Sequence, residues 1–364
     1  MMAIPIPVAY PIGYFYDPKK KSYQLYGQIL WTPFMNAPFY QCNPGVPVKH
    51  QEHGKLALTI AKQKDTYTKF HSMKLTWDSL HKNSYPLIID SVSNRVHIEP
   101  NQFTKGKQAL KTGDRKRECV RCRKQFFLDN QGKVPVLSKS CIYHQRGSNN
   151  GVKGPTTVCC DKPLYHSKGC TTSDVHVFDD MEEEDFLKFI KTPKADGPDD
   201  CRSLNVFALD CEMAYTNKGL ALVKVSVVDS DGQLILDQIV RPDAQLLCAN
   251  TKYSGVTAEE INESSETLES VQKTLFRLIN EETILIGHSL ESDLKALKLV
   301  HTNVIDTAVI CMDNGNKPSL RSLMLTHFGK KIQQNKGPGE THNSIEDATS
   351  CIELVKKFMV VEKK

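Results

Sequence analysis

Val206-Phe207-Ala208-Leu209-Asp210-Cys211-Glu212-Met213 runs apolar for four residues and then delivers two carboxylates one residue apart. Such a short apolar run reads as a strand buried on both faces. Side chains at i and i+2 of a strand share a face, so Asp210 and Glu212 point the same way. They stand at the end of the strand, where open α/β sheets place their ligands. Outward from there, residues 220–229 read as a second strand, Asp231-Gly232 as a hairpin turn, and 234–240 as a third strand. Apolar residues at helical spacing predict helices over 268–279, 289–300, 320–328 and 344–361, with short strands at 283–287 and 304–306. Three meandering strands followed by alternating helices and strands predict an α/β fold with a sheet of mixed direction.

Two further acids fall at telling places. Asp293 lies on a helix that follows a buried strand, Asp347 near the start of the last helix, and His342 five residues before it. Four carboxylates converging from separate elements repel one another unless divalent cations sit between them. Mg²⁺ or Mn²⁺ with oxygen ligands answers that need and leaves positions for phosphate and water. A pair of such ions suits phosphodiester cleavage, and a histidine beside them suits deprotonating water. Met213 is a candidate contact for the terminal base of a substrate, with a place in the core as the alternative. Asp306 and His288 read as structural, and Glu346 as a solvated helix residue.

Each signal is weak alone; the ordered set is not. Phe207 to Met213, then Ile284-Leu285-Ile286-Gly287-His288-Ser289-Leu290-Glu291-Ser292-Asp293-Leu294, then Val304-Ile305-Asp306-Thr307, then His342-Asn343-Ser344-Ile345-Glu346-Asp347-Ala348 resembles the histidine-containing subclass of the DEDD exonuclease superfamily. More narrowly, with Ala214-Tyr215-Thr216 and Ser254-Gly255-Val256-Thr257, it resembles the RNA exonuclease 1 family. The resemblance covers residues 205–355 and reaches weakly back through the cysteines. It implies a ribonuclease H-like fold and 3′-to-5′ hydrolysis of RNA with a free 3′ end, releasing nucleoside 5′-monophosphates. Asp210, Glu212, Asp293 and Asp347 would hold two metal ions, and His342 would be the general base. Residues 312–317 are trimmed relative to that family.

Residues 119–176 hold six of the twelve cysteines and few aliphatics, so this stretch needs a staple in place of a core. Cys119-x-x-Cys122, Cys141-x-x-His144, Cys159-Cys160, Cys170 and His176 supply the eight ligands that two tetrahedral Zn²⁺ sites require. These sites are expected to be structural, His166 is a spare candidate, and which ligands share an ion is left open by the spacing. Similar strings precede the nuclease in the family named above.

Charge divides the chain. Residues 1–118 carry 17 Lys/Arg against 8 Asp/Glu, residues 119–176 carry 9 against 3, and residues 177–200 carry 3 against 9. A basic first half suits phosphate capture, or simply a solvated surface. The expected organisation is a disordered Pro/Tyr-rich stretch (1–50), a basic and partly helical region (51–118), a small zinc-binding Cys/His-rich module (119–178), an acidic helix and linker (179–202) and the exonuclease domain (203–364). No apolar run suits a membrane span, and Pro5, Pro7 and Pro11 argue against a secretion signal. Cysteines in that setting are expected as thiols or metal ligands. The first half could also dock proteins. A nuclear location is implied chiefly by the resemblance. A DNA exonuclease of the same fold, or a binding adaptor without catalysis, are the competing readings.

Overall fold

The computed structural model describes residues 53–333 and 342–361, apart from 91–94, 102–109, 136–140, 145–147, 152–153, 158–159 and 161–168, together with four short strands within residues 14–41. Those strands pair as two hairpins, Tyr14–Asp17 with Ser22–Leu25 and Gln28–Leu30 with Phe39–Gln41.

The strand Val206–Thr216 is the centre of a six-stranded sheet. It pairs antiparallel with Gly219–Asp229, which pairs antiparallel with Leu234–Ile239. On its other side it pairs parallel with Ile284–Gly287, which pairs parallel with Val304–Asp306. Leu246–Cys248 adds to its far end. The sheet is therefore mixed, as the hairpin-then-alternation pattern predicts. Gly232 holds φ +81 in the turn between the second and third strands, a conformation open to glycine at little cost.

Alternation along the central strand sets the two layers. Val206 and Ala208 face the closing helix Ser344–Val361, whose Ala348, Cys351, Ile352, Leu354 and Val355 complete that half of the core. Phe207, Leu209 and Cys211 face the other way, onto Val271, Leu275 and Leu278 of the helix Leu268–Leu278 and onto Leu290, Leu294 and Leu297. Asp210 and Glu212 have the parity of Val206 and Ala208 and so open toward the closing helix.

Two departures from the sequence reading bear on the site. The helix expected over 289–300 spans only Glu291–Ala296; Leu299–Val300 instead pairs in parallel with Ile190–Lys191, within the stretch expected to be a linker. Thr192 is buried there and its hydroxyl donates to the Val300 carbonyl (2.9 Å), so the acidic segment is stitched to the sheet layer. The core also extends well before residue 203. Phe70, at the end of the helix His53–His71, packs with the closing helix, and Leu75, Leu80, Tyr85 and Leu87 pack into the opposite layer. The Leu75 amide donates to the Val304 carbonyl at the sheet edge (2.8 Å). Among the described residues no helix is long and apolar enough to cross a membrane.

Candidate active site

Asp210 and Glu212 sit opposite Ser226 and Lys224, and the register slips immediately after Glu212. A bulge at that point re-aims the strand beyond the acids, a common device beside functional sites. Glu212 is 7% exposed, and its Oε1 has no hydrogen-bond partner. Burial, then the charges of Asp347 and Asp293, push its carboxyl up to about 9, with Lys224 opposing. Asp210 keeps partial exposure, yet burial and then Asp293, Asp347 and Glu212 raise it well above the usual carboxylate range.

Asp293 reaches this point from the first turn of the helix Glu291–Ala296. Its Oδ1 accepts from the Cys211 amide (2.7 Å), which locks that helix to the strand between the two acids. Burial raises the Asp293 carboxyl, the Cys211 amide offsets part of that, and Glu291 adds to it. The turn before the helix is held by Asp306, which accepts from the amides of Ser289 (2.9 Å), Leu290 (3.1 Å) and Ala308 (2.9 Å) and from the Tyr85 hydroxyl (2.6 Å). Those four donors fill its lone pairs, so Asp306 is a scaffold acid. His288 is structural as expected, with Nδ1 2.9 Å from the Thr307 hydroxyl.

Asp347 lies 2% exposed in the first turn of the closing helix, whose start is anchored by the Ser344–Ser226 hydroxyl contact (2.6 Å). His342 presents Nδ1 to Asp347 Oδ2 at 3.2 Å, with its ring about half exposed. The His342 amide donates to the Tyr253 carbonyl (3.0 Å), and its own carbonyl crowds Gly255, where a Cβ would stand 3.2 Å away. Gly255 has φ +68, so both its torsion and this close approach favour glycine, which gives the Ser254-Gly255 motif a physical basis. The Gly337–Glu340 loop lies outside the described residues.

One contributor carried no sequence signal. Gln333 donates its side-chain amide to both Asp347 oxygens (3.2 and 3.1 Å) and lies 3.4 Å from His342 Nδ1. The Gln333 backbone amide in turn donates to Glu346 (2.9 Å), so Glu346 is a positioning group and not the plain solvated residue expected. Met213 is half-buried against the core layer of Leu209 and Leu275, the bland alternative for that residue.

The four acids thus come together from three elements, the two helices tied to the sheet by Asp293 on the Cys211 amide and by Ser344 on Ser226. Among the described residues, the groups whose ligand atoms all lie within 4.8 Å of one another are two Cys/His sets and His81/His97/Glu99; the acids are spaced wider than that. A cluster of like charges with an unpartnered buried carboxylate oxygen fits divalent cations by its donor chemistry.

The Cys/His residues divide into two groups, which the spacing alone left open. Cys119, Cys122, Cys141 and His176 form one; His144, Cys160 and Cys170 form the other, while Cys159 and His166 lie outside the described residues. Contacts within them are 3.6 Å (Cys119–Cys141, S to S), 3.4 Å (Cys122–His176) and 3.6 Å (Cys160–His144). A tetrahedral ion with bonds of ~2.3 Å to sulfur and ~2.0 Å to nitrogen sets ligand-to-ligand edges of roughly 3.5–3.8 Å. Burial disfavours the Cys119 thiolate, but the amides of Cys122, Val177 and Arg121 outweigh it and lower its pKa. Cys201 is disulfide-bonded, so the expectation of thiols or metal ligands fails at that position. Arg121 joins this module to the sheet, with its guanidinium 5.2 Å from the ring centres of both Tyr143 and Tyr215 and donating to Cys248.

A mixed α/β sheet that gathers four acids and a histidine midway along its central strand, and not at the strand's end as the sequence suggests, defines a nuclease-like hydrolase framework. No protein-family model matches the chain. Among curated proteins it is similar to RNA exonuclease 1 homolog of Homo sapiens, 35% identical over 302 residues, 79% of this chain and 23% of that protein. Exonuclease GOR of Pan troglodytes is 36% identical over 304 residues, 79% of this chain and 41% of that protein. RNA exonuclease 1 of Saccharomyces cerevisiae is 42% identical over 156 residues, 42% of this chain and 27% of that protein. The chain thus spans about a quarter to two fifths of the length of these relatives. Among solved structures, the Neurospora crassa Pan2 catalytic unit (protease and nuclease domain) matches with TM-score 0.41 and 26% identity, over 48% of this chain and 30% of that one. The chain belongs to the RNA exonuclease 1 family.

Proposed function

We propose that this protein is an exonuclease that removes nucleotides from the 3′ end of RNA by hydrolysis, releasing nucleoside 5′-monophosphates. The observation that carries the reading is the convergence of Asp210, Glu212, Asp293 and Asp347, with Glu212 Oε1 buried and unpartnered. These four residues would hold two divalent ions, Mg²⁺ or Mn²⁺. Bound there, the pair would neutralise the acids and stabilise the attacking and leaving oxygens of phosphodiester cleavage.

The chain's own residues supply the rest. His342 turns Nδ1 toward Asp347, which leaves Nε2 as the atom to accept a proton from attacking water. The carboxylate fixes that tautomer, and the exposed ring gives solvent access. Asp306 and the Cys211 amide keep Asp293 in place without touching the substrate.

The two Cys/His groups support structural Zn²⁺, one ion for Cys119, Cys122, Cys141 and His176 and a second for His144, Cys160 and Cys170, with Cys159 offered by the sequence alone as the fourth ligand. The exposed basic residues interleaved with them (Arg123, Lys124) suit contact with RNA phosphates, whereas Arg121 is engaged by Tyr143, Tyr215 and Cys248. RNA is favoured over DNA by the names of the relatives, because a carboxylate site does not itself read the 2′-hydroxyl. A nuclear location belongs to the same reading and rests on the resemblance; imaging of the tagged chain tests it.

The test is product formation from 5′-labelled single-stranded RNA with Mg²⁺ or Mn²⁺, wild type beside Asp210→Ala. A ladder shortening from the 3′ end, given only by wild type with metal, is the expected result. No shortening by folded, zinc-loaded protein under either metal would overturn the reading in favour of a binding adaptor. Degradation of DNA at the same rate would move the substrate class.

A further inference from the structure

We infer that His81, His97 and Glu99 form a third metal site, for one divalent transition ion of the Zn²⁺ class, independent of the acids and of the Cys/His groups. His81 lies in the last turn of the helix Trp77–Lys82, His97 ends the strand Val96–His97, and Glu99 follows two residues on. The ligand atoms of all three lie within 4.8 Å of one another. Glu99 Oε2 is 2.9 Å from His97 Nε2 and 3.7 Å from His81 Nε2. The imidazoles are stacked nearly parallel, 12° apart with centres 5.5 Å from each other, so both turn the same edge toward one oxygen.

For an ion ~2.0–2.2 Å from nitrogen and oxygen, adjacent ligand atoms stand roughly 2.9–3.5 Å apart. The His97–Glu99 edge already has that length, and the His81 edge closes with a movement of a few tenths of an ångström. A hydrogen bond between His97 and Glu99 accounts for one contact but not for a second ring stacked behind it and aimed at the same carboxylate.

The backbone beneath the three side chains is fixed in advance. Thr76 caps the helix by accepting from the Ser79 amide, the Ser84 hydroxyl donates to the Glu99 carbonyl (2.5 Å), and His97 pairs with Leu87. The side chains themselves are about a third to two fifths exposed, so an ion has a path in and keeps water on its open side. Two imidazoles and one carboxylate select a borderline ion over Mg²⁺, which prefers oxygen alone. An ion there would tie the short helix to the hairpin that follows Tyr85, the residue that donates to Asp306.

The experiment uses the full chain, loaded with Zn²⁺ at its tight sites and freed of excess, then titrated calorimetrically with Zn²⁺ alone. Wild type, His81→Gln, His97→Gln and Glu99→Gln are compared. The expected result is one more equivalent bound by wild type than by either histidine variant, with Zn²⁺ raising the melting temperature of wild type by more than theirs. Glu99→Gln should weaken the extra equivalent at least about tenfold, the lower range seen when even a supporting partner of a ligand is lost. Equal uptake by all four proteins would overturn the inference and leave a surface hydrogen bond. Retained tight-site zinc shows that each variant is folded; if His97→Gln fails that check, His81→Gln decides.

Discussion

Replacing Glu212 with Gln should make the cation-free protein more stable while removing its activity. Burial, then Asp347 and Asp293, raise this carboxyl from 4.5 to about 9 against the pull of Lys224. A folded-state pKa above the unfolded one means that the folded protein holds its proton longer. The stability it contributes is present below about pH 4.5 and drains away as pH rises through about 9. Near pH 7 that loss reaches about 3 kcal/mol, at roughly 1.4 kcal/mol per pH unit. Glutamine keeps the shape without the charge. In Mg²⁺-free buffer near pH 7 it should therefore melt higher than wild type, by roughly 6–12 °C for a domain of this size. The gap should shrink toward about pH 5, where the unfolded carboxyl nears its own pKa of 4.5 and the two states differ less in bound protons. Millimolar Mg²⁺ should raise wild type more than the variant, because the ion binds the charged acid better. Circular dichroism melts over that pH range, with the tight zinc retained and Mg²⁺ added or withheld, read all three effects. A variant that melts at or below wild type without Mg²⁺ throughout would refute the claim that Glu212 is held against its charge.

Three further outcomes are expected. His342→Ala should lower the single-turnover rate by a factor on the order of 10² to 10⁴, with Mg²⁺ affinity little changed; a loss of metal binding instead would make the ring a ligand. Cys119→Ser should reduce bound zinc by about one ion per chain and loosen the module, read by metal analysis and by proteolysis of residues 119–178; unchanged zinc would remove Cys119 from the ligand set. His301, whose ring is enclosed by Thr192, Thr283 and Asn303, is pushed down to about 4 by burial. Here the sign is opposite: stability is complete above about pH 6.5 and about 3 kcal/mol of it is lost as pH falls through about 4. Urea unfolding of wild type and His301→Gln across that window should show a steeper acid loss in wild type, the shared remainder coming from carboxylates such as Asp185 and Asp200.

The acids were legible because strand alternation is geometric: D-x-E within a strand aims both carboxylates to one face, although the strand runs on to Thr216 where the apolar run suggests it ends. The ligand set of the Cys/His groups was legible for a similar reason, since paired spacings bring their own loop geometry, while the division between the two groups depends on how the loops cross. What stayed hidden was whatever joins distant parts of the chain. Tyr85 stands 221 residues from Asp306, and nothing in the stretch around it marks a hydroxyl bound for a buried acid. Gln333 is one polar residue among several in Lys330-Lys331-Ile332-Gln333-Gln334, and its left-handed backbone (φ +58) and the bond from its amide to Glu346 hold it at Asp347. Ile190–Lys191 is too short a strand to announce itself; it exists because Leu299–Val300 leaves a free edge beside it.

The early residues that pack beneath the sheet also change what a break in the backbone would do. Gly197, Pro198 and Asp199 are exposed, a natural place for a protease to cut. A nick there would divide the chain on paper only. Phe70, Leu75, Leu80 and Leu87 would still be lodged in the interior of the later piece, and Tyr85 would still be bonded to its acid. The halves would behave as complementing fragments that co-purify until denatured, whereas the later half made alone would meet solvent with an open apolar trough where its first half belongs.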